Sequence, residues 1–74
     1  MISMEGYMQY IVLEIQKNDE NVISTLITAH GDKNEAMSKY HTVLGYAAVS
    51  SLPLHGAVLL NEEGNLIRNE TFTH

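Results

Sequence analysis

Residues 32–52, DKNEAMSKYHTVLGYAAVSSL, decide the fold, because they read as a helix with two sticky sides rather than one. At 100° per residue, Ala36, Met37, Tyr40, Val43, Leu44, Ala47 and Ala48 form a broad apolar stripe of the kind that covers a sheet. The opposite side lacks the charge of a solvated helix: Ser38, Thr42, Gly45 and Val49 cluster there, with Tyr46 at the flank. Asp32 stands where it can cap the free amides of the first turn. Glu35, three positions on, completes a pattern like a capping box and suits the positive end of the helix dipole. Pro53 pushes Leu52 out of the α region, which predicts the end of the helix there. About twenty residues rising 1.5 Å each give roughly 30 Å, close to the length of a nine-residue strand.

Upstream, residues 7–16 read YMQYIVLEIQ, in which Ile11, Leu13 and Ile15 alternate with Tyr10, Val12 and Glu14. That period of two predicts a strand with the first set facing the helix and the second on the open side. Residues 1–6 read as a ragged leader. KNDEN, at 17–21, has the polar residues that close a hairpin, and VISTLITAH, at 22–30, is a β-branched second strand. Downstream, LHGAVLL at 54–60 is a third strand whose inward set is open between Leu54/Val58/Leu60 and Ala57/Leu59. In NEEGN, at 61–65, Gly64 occupies the left-handed position of a three-residue hairpin loop, predicting a type I turn with a G1 bulge. Residues 65–74 supply a fourth strand. The expected fold is α+β: a two-layer sandwich of order ββαββ, with a four-stranded antiparallel sheet and one long helix across one face.

At 74 residues the chain makes a single domain. A domain of this size buries only about 60% of its unfolded surface and usually leans on disulfides, a metal or a partner chain. With no cysteine, disulfides and thiolate metal sites are excluded, and a reducing, cytoplasmic setting fits. Self-association is the remaining common route, so a homo-oligomer, most simply a dimer, is expected. Nine acidic residues stand against Lys17, Lys33, Lys39 and Arg68, a net charge of −5 with no basic stripe to neutralise phosphates. Nucleic acid is therefore not expected as a partner. Neither is a membrane, since no apolar run approaches the roughly 20 residues of a spanning helix, and the first residues lack the pattern of a signal peptide.

Four histidines are the candidate chemistry. His30 and His55 flank the helix and, with His41, are the candidate metal ligands, although none forms the spaced helical pair typical of a metal motif. Tyr40, His41 and Glu14 are a candidate proton-transfer group, but no nucleophile, oxyanion donor or cofactor motif accompanies them. A buried structural role for Tyr40 and hydrogen-bonded structural histidines are the plainer reading. No cofactor is expected, and the balance leans away from an enzyme.

The block Ser38-Lys39-Tyr40-His41, Val43-Leu44, Ala47-Ala48-Val49-Ser50-Ser51, Pro53, His55 and the NEEG turn, with Val12-Leu13-Glu14-Ile15-Gln16 before it, resembles a group of small proteins of gut-type Firmicutes and their prophages. Those proteins are encoded among phage structural genes, and no biochemical activity attaches to them. The likeness runs from Tyr7 over nearly the whole chain and implies an accessory or structural role. A second likeness, to small antitoxin-like domains, rests on two strands leading into the helix start from Asp32 to Ala36, and departs from them in lacking a third strand before the helix. The expectation is a non-catalytic, self-associating protein. The back of the helix (Ser38, Thr42, Gly45, Tyr46, Val49) is the favoured interface, with the open sheet face and a sheet edge as competitors. A metal or small-molecule site of His30, His41, His55 and Glu14 at a subunit junction, or an antitoxin-like protein binder, are the alternatives.

Overall fold

The computed structural model describes residues 8–74, so the leader expected at 1–6 and the strand start at Tyr7 lie outside the described residues. The elements are β1 (Tyr10–Lys17), β2 (Ile23–His30), α1 (Lys33–Val49), β3 (Leu54–Asn61) and β4 (Leu66–Thr73). The strands make one antiparallel sheet in the order β2-β1-β3-β4. Both β2 and β3 run antiparallel to β1, hence parallel to each other, so α1 is the crossover that carries the chain from one rim to the centre. The result is the expected ββαββ two-layer sandwich.

Two hairpins of one design flank the helix. In the second, the Gly64 N–H donates to Asn61 O and the Asn61 N–H donates to Asn65 O, with Gly64 at φ 84. This is the expected type I turn and G1 bulge. The first hairpin repeats it: Asn21 N–H donates to Asn18 O, Asn18 N–H donates to Val22 O, and Asn21 takes the left-handed position at φ 68. Asparagine tolerates that conformation better than other residues with a Cβ. In each loop the leading asparagine's Oδ1 accepts two backbone N–H groups, from Glu20 and Val22 or from Glu63 and Asn65. Such local side-chain bonds satisfy amides that the ladder cannot reach.

Asp32 caps α1 as expected, its carboxylate accepting the Asn34 N–H at 3.1 Å. The C-terminus departs from expectation by three residues, since the helix stops at Val49 rather than at Leu52. Ser50 is extended and its Oγ accepts the Leu52 N–H, so a hydroxyl–backbone bond replaces the last turn before Pro53 acts.

The core is Val12, Ala36, Tyr40, Val43, Ala57 and Leu59, with Tyr10, Met37, Leu44 and Ile67 packed around it. Two expectations about faces are settled by the register. In β3 the inward pair is Ala57 and Leu59, not Leu54, Val58 and Leu60. In β1 the expected faces are reversed: Val12, with Tyr10 and Glu14, lies under the helix, while Ile11, Leu13 and Ile15 point away from it. Opposed residues of antiparallel strands share a face, and Val12 opposes Leu59 whereas Leu13 opposes Val58. The small side chains Ala36, Ala47 and Ala57, all buried, let the helix lie close over that face.

Leu59 is fully buried at the centre of this layer. Leu59→Ala is expected to cost about 2–5 kcal/mol in chemical denaturation. A cost below 1 kcal/mol would mean that Leu59 lies outside the core.

Candidate functional site

The one cluster of polar side chains drawn into the interior joins β1 and β3 beneath the helix. Gln16 is directly opposite His55, and Glu14 is the diagonal neighbour two residues along the same face. His55 Nε2 lies 2.6 Å from Glu14 Oε2, and Gln16 Nε2 donates to the same oxygen at 3.0 Å. His55 is only 5% exposed, and its Nδ1 is buried with no hydrogen-bond partner. A carboxylate in an apolar layer needs such donors, because an unpartnered buried charge is costly. Glu14 thus sits on the inner side of the sheet, where the sequence pattern had placed it outside.

Only the carboxylate of this cluster is accessible: Glu14 is 16% exposed and borders a cleft between α1 and β2, while its partner His55 is buried. A general base has to reach a proton on its substrate. His55 is sealed from solvent, and its nitrogens meet only Glu14 and Gln16 among the described residues. The Tyr40–His41–Glu14 group does not assemble: Glu14 pairs with His55, while the exposed His41 ring stands edge-on to Tyr40 at 5.4 Å.

The candidate metal ligands are not brought together either. His30 is opposite Tyr10 and His55 opposite Gln16, so the two lie at opposite ends of the sheet, roughly 20 Å apart at 3.3 Å per residue. A helix as long as the sheet separates the elements that it joins, which is why flanking α1 in sequence does not imply meeting in space. His30 bonds the Thr28 hydroxyl at 2.9 Å, and His74 Nε2 lies 3.0 Å from Ala47 O with its ring stacked on Phe72. Among the described residues no three His, Asp or Glu side chains form a group able to hold a metal ion. No helix among the described residues is long and apolar enough to cross a membrane.

A cleft of about 180 Å³ opens between α1 and β2, lined by Val12, Glu14, Leu26, Ile27, Thr28, Lys39 and Val43. It exists because the helix packs mainly over β3 and β1 and only lightly on β2: Leu26, on the helix side of that strand, is 61% exposed. The expected interface residues Ser38, Thr42, Gly45, Tyr46 and Val49 are all exposed on the outer side of α1. The Thr42 hydroxyl is already spent on Ser38 O at 2.9 Å, and nothing lies within 4 Å of a Cβ placed on Gly45.

The largest feature is one whose composition the sequence pattern missed. The far side of the sheet carries Ile11, Leu13 and Ile15 from β1, Ile23 and Ile27 from β2, Leu54, Val58 and Leu60 from β3 and Leu66 from β4. Among the described residues its only charged side chain is Lys17, at one end. Ile27 remains 66% exposed and Ile23 62%. The signal is present in the sequence as the greater apolarity of Ile11/Leu13/Ile15 over Tyr10/Val12/Glu14, a difference that ordinarily marks the inward face. No protein-family model, curated protein or solved structure matches the chain.

Two outcomes follow. Glu14→Ala strips His55 of its carboxylate partner and is expected to destabilise the domain by about 1–3 kcal/mol in denaturant melts; no change would show that the pair does not hold β1 to β3. Tyr40 is buried, and its hydroxyl is held above the ordinary 10.0, first by burial and then by the Glu70 charge, with Arg68 opposing. The folded state thus favours the protonated phenol, so this stabilisation is complete below the unfolded value and is lost as pH rises past it. Melting temperatures should fall above about pH 10 and fall less for Tyr40→Phe; parallel curves would contradict the assignment.

Proposed function

We propose that this protein is a non-catalytic homo-oligomer in which two copies cover each other's open sheet faces, leaving the helices outside. The observation that carries the reading is the row of nine large apolar residues, from Ile11 to Leu66, on the side that α1 does not cover. Four strands about 4.8 Å apart and eight residues long define a face of roughly 500 Å², so two copies together cover on the order of 1,000 Å², the lower bound of a stable specific interface. Exposed apolar patches of this extent mark contact sites. Two sheets so placed pack about 10 Å apart with interdigitating side chains. With Lys17 at the margin as the one charge on the face among the described residues, a second copy of this acidic chain meets no like charge at its centre.

The helix back, favoured by the sequence pattern, presents less apolar area, chiefly Tyr46 and Val49. His55 is buried against Glu14 and Gln16, so of the pair only Glu14 reaches the cleft, and the apolar far face is the more extensive surface. Together with the resemblance to prophage-encoded proteins, this supports an accessory or structural component whose work is assembly.

Leu13 lies at the centre of the face, opposite both Ile27 and Val58. Leu13→Glu is expected to halve the mass found by sedimentation, with the circular dichroism of the wild type retained. An unchanged mass, or a monomeric wild type, would contradict the proposal. Gly45→Ala tests the helix back: in open surroundings it should stabilise the fold by about 1 kcal/mol and leave the mass alone. A split oligomer would move the interface to the helix.

A further inference from the structure

Among the described residues, only one of the sheet's two rims is defended. Rim strands expose a row of unpaired N–H and C=O groups, and proteins blunt them with charges, prolines or bulges. β4 carries Arg68 and Glu70 in its middle and a register shift opposite Leu59 and Leu60. β2 reads ISTLITAH: eight residues without charge or proline, paired to β1 along its whole length with no register shift. Both of its faces are open as well, since Leu26 on the helix side and Ile27 on the far side are each more than 60% exposed. Of the two rims, then, β4 is charged and irregular, whereas β2 is uncharged and regularly paired.

We infer that β2 pairs with β2 of a second copy, antiparallel across a two-fold axis perpendicular to the sheet. The pairing makes one continuous eight-stranded sheet with both helices on the same side. The absence of charge selects a copy of this chain as occupant, because two acidic chains meet at this seam without like charges in contact. Symmetry then restricts the register. Opposed residues of antiparallel strands share a face, and in β2 the even-numbered residues, Leu26 among them, face the helix in both copies. The numbers of opposed residues must therefore add to an even value, and the axis passes through a residue paired with itself rather than between two. Leu26 and Ile27 are the central positions at which such a self-pair joins two apolar side chains. Leu26, Ile27 and Thr28 of this rim also line the cleft between α1 and β2.

This seam is distinct from the open sheet face, and its axis is perpendicular to the one relating two stacked sheets. Both together close a four-copy assembly of the kind commonest after dimers. Leu26 belongs to the helix side and Leu13 to the far side, so the two interfaces can be cut separately.

Sedimentation of the full chain is expected to give four copies for the wild type. Leu26→Lys and Leu13→Glu should each leave two, and the double variant one, all with wild-type circular dichroism. A two-copy wild type that Leu26→Lys leaves intact and Leu13→Glu splits would overturn the rim pairing while sparing the sheet-face proposal. A two-copy wild type with the opposite response would overturn the sheet-face proposal and support the rim. Single cysteines placed at positions 24 to 28 of this cysteine-free chain give a second readout. Paired Cα atoms of a strand ladder lie about 4.5–5.5 Å apart, within disulfide reach. Oxidation should crosslink one central position far faster than its neighbours. Equal, slow crosslinking at all five would overturn the rim pairing.

Discussion

A single helix can cover only one side of a sheet, and in this chain both sides are apolar. α1 lies over Val12, Ala57 and Leu59, and the other side keeps its isoleucines and leucines in contact with solvent. Most features of the molecule follow from that mismatch. Among the described residues no second layer covers the far side, and the sequence has no cysteine to crosslink it. The hydrophobic term scales with area removed from water, so an uncovered face of this size is a standing free-energy gain for association.

The helix takes the less apolar of the two faces, and the polar residues there explain how that is tolerated. Glu14, Gln16 and His55 occupy neighbouring rungs of β1 and β3, where each supplies a partner that the others lack. The cluster is satisfied at His55 Nε2 and Glu14 Oε2 and left unpaired at His55 Nδ1, and it pins the register of the two central strands. On the face that is left open, the polar side chains lie toward the rims and one end: Thr25 on β2, Asn69, Thr71 and Thr73 on β4, and Lys17 at the end of β1. Gly56 belongs to that open side and is fixed by its neighbour: a Cβ there would lie 2.7 Å from Glu70 O and 2.9 Å from Thr71 Cα. β3 and β4 can therefore approach closely only because this rung carries no side chain.

Much of this architecture was legible in the residues. The strands, the Asp32 cap and the left-handed Gly64 each follow from local chemistry that tertiary context does not alter. The end of the helix was misplaced because Ser50 competes for the backbone three residues before Pro53 acts. The facing of β1 was misjudged for a different reason. Alternation identifies two faces but not which of them the helix takes, and the more apolar set is ordinarily buried within the chain. Here it is not, and a pattern that contradicts its own fold points outside the chain. His30 and His55 were expected near one another because they flank α1, yet the helix spans the sheet and holds them at opposite ends. Their separation follows from element length rather than from residue type, so inspection of the histidines alone does not reveal it.

The central claim is that the far face of the sheet is covered in solution. Methyl NMR with a soluble paramagnetic agent measures that cover directly, residue by residue. The account predicts that the methyls of Leu13 and Val58 are shielded as well as that of the core residue Leu59, while those of Val49, on the outer side of the helix, are strongly broadened. Broadening of Leu13 and Val58 to the level of Val49, at concentrations where the protein sediments as a single species, would show that the face stays open and would contradict the account.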